Sequence, residues 1–297
     1  MIKKTLYFGS ASYLSTQNEQ LVITIKSTGD IHSIPMEDIS TIELDHSAIT
    51  ITKSALHKCS ENGIAVVVCD SSHLPSGIML PFENHSVHTE RQRVQHNMKL
   101  PLKKRLWQET VRGKILNQAL LLQKLNNPVA TTLFDISKKV KSGDSDNREA
   151  VAALQYWKSI FPNFKRERFG EYPNNILNYG YSILRAIVAR GIVSTGLHPS
   201  IGIFHKNRYN PFCLADDIME PYRPFVDEKV AEYVATMQPT EELTPDVKKF
   251  MLAVTTTDVL WCDEKRPLMI AVQLTCSSLY KCLAEDEDKL LYPVFLI

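Results

Sequence analysis

The sequence predicts an α+β fold, with a small N-terminal mostly-β domain carrying one helix and then a larger all-α domain. Three observations lead there. About the first eighty residues alternate apolar and polar side chains in short runs. A polar stretch with no strong period, FENHSVHTERQRVQ, follows at 82–95. Beyond it, the apolar residues recur almost everywhere at helical spacing. The expected division is 1–81 for the β domain, 82–95 for a linker running into a helix, and 96–297 for the helical domain.

In the β domain, Leu21 to Ile25, Ile31 to Ile34 and Ile42 to Leu44 read as strands. Asn18-Glu19, Gly29-Asp30 and Glu37-Asp38 are the turn signals between them. Ser54 to Asn62 places Ala55, Leu56 and Cys59 at helical spacing and stops at Gly63. The run IAVVVC, Ile64 to Cys69, reads as a buried strand. Strand edges of such a domain are natural surfaces for self-association.

Between Arg91 and Lys114 there are eight basic residues against one acid, Glu109, with Trp107 among them. A basic helical face with an aromatic tracks a phosphate backbone, but a solvated amphipathic helix has the same composition. The helix continues from Leu116 to Leu125 and ends at Asn126-Asn127-Pro128, and another begins near Val129. The segment NREAVAALQYWKSIF then aligns Ala150, Ala153, Leu154, Trp157 and Phe161 on one stripe, with Asp146-x-x-Glu149 fitting a capping box at its start. FKRERFG, Phe164 to Gly170, is a second basic patch. Asn174 to Arg190 is a helix closed by Gly191, and its Gly180 permits close approach of another element. Thr244-Pro245-Asp246 caps one later helix, a largely apolar helix spans about Pro267 to Ala284, and the terminal LLYPVFLI is expected to dock on the protein.

Composition excludes little. Net charge is +1, with 44% hydrophobic and 23% charged residues, an ordinary globular balance. The chain has no apolar run long enough to span a bilayer and no signal-peptide core after its first lysines, so a cytoplasmic protein is expected. The six cysteines form no CxxC pair and are expected as buried thiols. The sequence lacks a P-loop, GxGxxG, GxSxG and HExxH, which disfavours Walker-type hydrolysis, dinucleotide chemistry and zincin proteolysis. His85 and His88 resemble ligand spacing but read as solvent-facing.

Chemistry concentrates in GIFHKNRYNPFCLADDIMEPYRPFVD, Gly202 to Asp227. His205 stands a short polar turn before Asp216, Asp217 and Glu220. Asp217 and Glu220 fall on one helical face, where ionised carboxylates repel unless a cation sits between them. Imidazole with carboxylates suits Mn²⁺, and Mg²⁺ would lean on the carboxylates. Acidic residues in the first turn of a helix are also simply stabilised by its dipole.

The segments REAVAALQYW, NNILNYGYSILRAIVARGIV, GLHPSIGIFH and NPFCLADDIMEPYRPFVD, in that order, resemble the integrase/endonuclease family of CRISPR adaptation, which inserts new spacers into a CRISPR array. LADDIMEPYRPFVD is similar to the form found beside single-protein RNA-guided effector nucleases (type II systems). The resemblance implies a small β domain joined to a larger helical one and a Mg²⁺ or Mn²⁺ site on Glu149, His205 and Glu220. Asp217 would be a further ligand or a residue behind the ligands. The cap expected for Glu149 becomes secondary, since cap and ligand positions coincide at a helix start. Leu154 departs from the family pattern, where many relatives have a basic residue.

The same resemblance implies double-stranded DNA as partner, both captured fragment and repeat. It further implies a homodimer built through the β domain and a small adaptation subunit that bridges two dimers. Lys103, Lys104, Arg105, Arg112, Lys165, Arg166 and Arg168 are then candidates for holding phosphates. The rival readings are a DNA-binding scaffold without chemistry and a stand-alone structure-selective nuclease.

Overall fold

The computed structural model describes residues 3–82, 85–161, 164–167, 170–240, 242–285 and 287–296. Its N-terminal part contains β1 (Lys4–Phe8), β2 (Ser12–Gln17), β3 (Gln20–Ile25), β4 (Ile31–Pro35), β5 (Ile39–Leu44), β6 (Thr50–Ile51), α1 (Lys53–Glu61), β7 (Ala65–Cys69) and β8 (Pro75–Met79). One sheet has the order β1-β5-β7-β8, parallel except for the β7–β8 pair, and the other the order β4-β3-β2-β6. The β2–β3 hairpin turns at Asn18 and Glu19, whose φ of 49° and 58° match the twist of paired strands. Thr52 caps α1 by accepting from the Ala55 amide. Leu14, Leu21, Ile39, Ile42, Ala55 and Cys59 join both sheets and α1 in one buried cluster.

Each expected strand is present, and β1, β2, β6 and β8 are additional. Pro75 and Gly77 lie in β8, an edge strand where a proline is tolerated but where the sequence argues against a strand.

The second part contains α2 (His88–His96), α3 (Leu100–Lys124), α4 (Val129–Lys138), α5 (Arg148–Ile160), α6 (Asn174–Ser194), α7 (Cys213–Met219), α8 (Arg223–Thr236), α9 (Pro245–Leu252), β9 (Asp258–Trp261), β10 (Glu264–Pro267) and α10 (Leu268–Leu283). It is therefore not all helical. The β9–β10 hairpin turns at Cys262 and Asp263, both with positive φ, and a turn in which Asp263 is the sole turn-forming residue gives only a weak signal in the sequence. The tail docks as expected: Phe295 stacks on Phe225, and Tyr292 shares a hydrogen bond with Thr110.

Three other expectations change. On α5 the buried face is Ala152 and Tyr156, whereas Leu154 is 62% exposed. Tyr156 is drawn inward because its hydroxyl donates to the buried Asp227 at 2.8 Å, which an apolar stripe does not anticipate. Gly191 lies inside α6, where a Cβ would meet Cys276 Sγ at 3.0 Å, and the positive-φ Gly196 follows the helix end instead. Cys262 is exposed on its turn, while Cys59, Cys213, Cys276 and Cys282 are buried free thiols.

The two parts are joined by buried polar contacts. Lys248 of α9 is fully buried, with Nζ 2.6 Å from both Asp45 Oδ2 and the His73 carbonyl. Tyr179 of α6 donates to Glu43 on β5 at 2.9 Å. The 82–95 segment is helical from His88 onward. Its Gln95 is buried, donating to the His198 and Ile201 carbonyls and accepting from the His198 amide. That glutamine ties the connecting helix to the loop that ends at His205.

Candidate metal centre

α3 is the element on which the site is assembled. Trp107 and Lys114 stand seven residues apart, two turns along one face. The sequence places both in a basic run open to DNA, but Trp107 is only 2% exposed and the Lys114 side chain only 12%. Both point into the protein.

Trp107 receives the histidine loop. Phe204 stacks on its indole at 4.2 Å and 3°, and the His205 ring meets it edge-on at 5.9 Å. The fully buried Asp217 holds that loop from the other side. Its Oδ2 accepts from the Ile203 and Phe204 amides at 2.6 and 2.9 Å, and its Oδ1 from the His205 amide at 3.2 Å and from His205 Nδ1 at 2.6 Å. The bond from Asp217 raises the His205 pKa against burial, which lowers it. With Nδ1 engaged, Nε2 has no hydrogen-bond partner among the described residues. Asp217 therefore acts by orienting the imidazole, with its own oxygens taken.

Lys114 receives the two glutamates. Its Nζ lies 2.6 Å from Glu149 Oε1 and 2.6 Å from Glu220 Oε2, so those oxygens are no further apart than the two contacts laid end to end. Gly113 and Asn117, one on either side of Lys114, seat the next residue after Glu220. A Cβ on Gly113 would meet Pro221 at 3.3 Å, and Asn117 donates to the Pro221 carbonyl at 2.7 Å. Arg223 donates to Glu220 Oε1 at 2.8 Å. Burial opposes ionisation of Glu220, but the charges of Arg223 and Lys114 outweigh it and bring the pKa down to about 2. Lys114 stays charged for the same reason: burial disfavours its ammonium, and Glu220 with Glu149 more than compensates.

At the start of α5 the cap is Asp144, whose carboxylate accepts from the Arg148 and Glu149 amides at 2.8 and 3.1 Å. Asp146 instead pairs with the Arg148 guanidinium at 2.8 Å, so the expected capping box does not form and the Glu149 side chain is left for Lys114. Asp217 and Glu220, expected to share one cation, face different partners. Asp216 is matched by Arg185 at 2.7 Å.

The residues suit a hard divalent ion. Glu220 Oε2 is buried, and among the described residues its one polar contact is the Lys114 ammonium at 2.6 Å, on which an oxygen of a second carboxylate, Glu149, also converges. Among the described residues no three His, Cys, Asp or Glu side chains stand together in a metal-holding arrangement, because the ammonium stands between the glutamates and His205 is drawn toward Asp217.

The expected phosphate-binding cations divide. Lys103 is half-buried and Lys104 exposed on α3. Arg105 lies 3.5 Å from Asp288, and Lys165 pairs with Glu167 at 2.5 Å. Arg112 pairs with Glu109 and donates to the Val140 carbonyl, and Arg166 bonds Asn174 and Asn178, so both are engaged within the fold. Arg168 lies outside the described residues. Sequence reasoning passed over Lys206 and Arg208, which are exposed directly after His205.

A β-sheet part packed on a helical part, with two glutamates and a loop histidine gathered on one long helix, marks a class of chain organised around an acidic site. The family model described as "CRISPR associated protein Cas1" matches residues 6–258. The CRISPR-associated endonuclease Cas1 of Neisseria meningitidis serogroup C (strain 8013) is 37% identical over 257 residues, covering 85% of this chain and 83% of that protein. The chain belongs to the Cas1 family. Its fold is similar to that of a casposase bound to integration product (TM-score 0.78, 20% identity, 98% of this chain and 92% of that one). It is also similar to a CAS1 protein from Thermotoga maritima (TM-score 0.74, 20% identity, 99% of each chain). A chain of a Cas6-RT-Cas1–Cas2 complex is similar over 98% of this chain and 36% of its own length, with TM-score 0.75 and 20% identity.

Proposed function

We propose that this chain is a divalent-metal-dependent DNA endonuclease and integrase of CRISPR adaptation, joining 3′-OH ends of captured DNA into the repeat array by transesterification. The observation that carries this reading is the convergence of Glu149 and Glu220 on a single cation, with a histidine of open Nε2 held against Trp107 two turns away on the same helix. The casposase bound to integration product adds support by likeness of fold.

Mg²⁺ or Mn²⁺ on Glu149, His205 and Glu220 would polarise the scissile phosphate and favour the deprotonated form of the attacking hydroxyl. The chain's own residues prepare that chemistry. Asp217 fixes the imidazole so that Nε2 faces away from it, and Arg223 keeps Glu220 ionised. The buried Trp107 stacks on Phe204 and backs the loop from the core side. Lys206 and Arg208 stand in solvent next to His205, in place to attract phosphates. With water in place of the 3′-OH, the same residues serve strand cleavage.

In this reading residues 1–81 form the dimerisation domain, 82–95 the connector and 96–297 the catalytic domain of a cytoplasmic protein. Strand β4 ends its sheet and leaves Ile31 exposed, an edge suited to pairing with a second copy. The likeness to a Cas1–Cas2 complex supports a small partner subunit.

The test is strand joining of a 3′-OH duplex into supercoiled plasmid with Mn²⁺. Wild-type protein should join, and Glu149→Ala, His205→Ala and Glu220→Ala should each reduce joining by about 100-fold or more. Undiminished joining by these variants would move the site elsewhere. DNA binding without cleavage or joining under any divalent ion would leave a scaffold.

A further inference from the structure

Lys114 sits in the middle of α3, an unbroken helix, and its ammonium touches one oxygen of each glutamate at 2.6 Å. That ammonium takes the space a metal bound by both carboxylates requires. Two cations within contact distance in a largely buried site repel strongly, so the arrangement accommodates the ammonium or a divalent ion but not both. Glu220 keeps Arg223 as a second partner through its other oxygen, so withdrawal of Lys114 frees Glu220 Oε2 for the metal while Oε1 stays held.

We propose that Lys114 is a built-in competitor of the divalent ion. It neutralises Glu149 and Glu220 in the metal-free protein, and metal binding is an exchange in which its side chain withdraws from between them. The inference rests on the metal-dependent reading of this site and adds a regulatory residue to it.

Side-chain chemistry favours such an exchange. Lysine carries a compact charge on a flexible four-carbon stem, so its ammonium leaves by rotation about side-chain bonds while α3 stays in place. An arginine would grip the carboxylates with a planar fork and release them less readily. The exchange also keeps the metal-free state folded, since without Lys114 two carboxylates would face each other across a partly buried gap.

The experiment titrates Mn²⁺ alone into wild-type protein, Lys114→Met, Glu149→Gln and Glu220→Gln, following binding by calorimetry and melting by circular dichroism. In parallel, acylation of Lys114 by an amine-reactive reagent is followed by mass spectrometry in wild-type protein, with and without saturating Mn²⁺. The expected result is Mn²⁺ binding that both glutamine variants weaken and that K114M tightens by about tenfold or more, while K114M melts below wild type without metal. Wild-type Lys114 should label several-fold faster once Mn²⁺ is bound. Binding that depends on the glutamates but is unchanged or weakened in K114M, with constant labelling, overturns the competitor role and leaves the metal site standing. Binding indifferent to both glutamates overturns the metal site itself and this inference with it. Should K114M not fold, the labelling of the wild-type protein decides.

Discussion

Asp217 holds His205 twice, accepting from its ring at Nδ1 and from its main-chain amide, at 2.6 and 3.2 Å. The ring cannot turn without losing one of these bonds, and the main chain cannot shift without losing the other. The same carboxylate also binds the two preceding amides, so a single buried side chain shapes the loop and aims the imidazole.

Replacing Asp217 by Ala should therefore act on stability and on chemistry together. Unsatisfied buried amides cost about 1–3 kcal/mol each before relaxation, so a net loss of about 3 kcal/mol is expected. Calorimetry should show melting about 5–10 °C lower. Strand joining should fall by about 100-fold, because the ring is no longer fixed. Asp217→Asn should melt closer to wild type but still lose activity, since the amide no longer dictates the tautomer.

Gly180 should not tolerate a methyl group. A Cβ there would lie 2.5 Å from Val226 Cγ1 and 2.8 Å from Met251 Cε, where α6 meets α8 and α9. Gly180→Ala gains about 1 kcal/mol of helix propensity but overpacks the core by about 1–3 kcal/mol or more. Urea unfolding should show net destabilisation, with DNA joining at low temperature little changed.

The buried Lys248–Asp45 pair predicts non-additive mutations. Either Lys248→Met or Asp45→Asn alone should cost about 3–5 kcal/mol, by leaving its partner's charge or hydrogen bonds unmatched. The double variant should cost clearly less than the two single losses together, as a double-mutant cycle in urea would measure.

Glu43 sets a pH dependence. Burial pushes its carboxyl up to about 7, against the hydrogen bonds from Tyr179 and Cys69. An acid whose pKa is higher folded than unfolded binds more protons when folded, so stability falls as pH rises from about 4.5 through 7. The span is worth about 3 kcal/mol. Glu43→Gln should flatten this slope and be more stable than wild type at about pH 8, which unfolding curves across pH would reveal. An unchanged slope in the variant would assign it to another group.

The sequence made much of this fold legible because its signals were local. Asn18-Glu19 and Gly29 marked real turns, Thr244 caps α9 through the Val247 amide, and the apolar tail docks. The β9–β10 hairpin escaped because Cys262 and Asp263 take a left-handed turn that a lone aspartate, without glycine or asparagine, signals only weakly. At the candidate site, Asp217 and His205 lay within one segment, but the sequence paired Asp217 with Glu220 around a cation. The family resemblance left Asp217 as either a ligand or a residue behind the ligands, and the structure places it against the His205 ring. Lys114 did not stand out. On the sequence it is one more cation in a basic run, and only the tertiary convergence of Glu149 and Glu220 gives it a distinct environment. Trp107 was misread for the same reason, since a sequence cannot say which face of a long helix the core will cover.

Because Trp107 and Lys114 belong to one uninterrupted stretch of α3, the histidine loop and the two glutamates take their positions from a common rod. Small shifts of α5 or α7 are corrected locally against that rod and do not accumulate from one part of the site to the other. A break in α3 between those two residues would let the halves drift independently, however well each half remained folded.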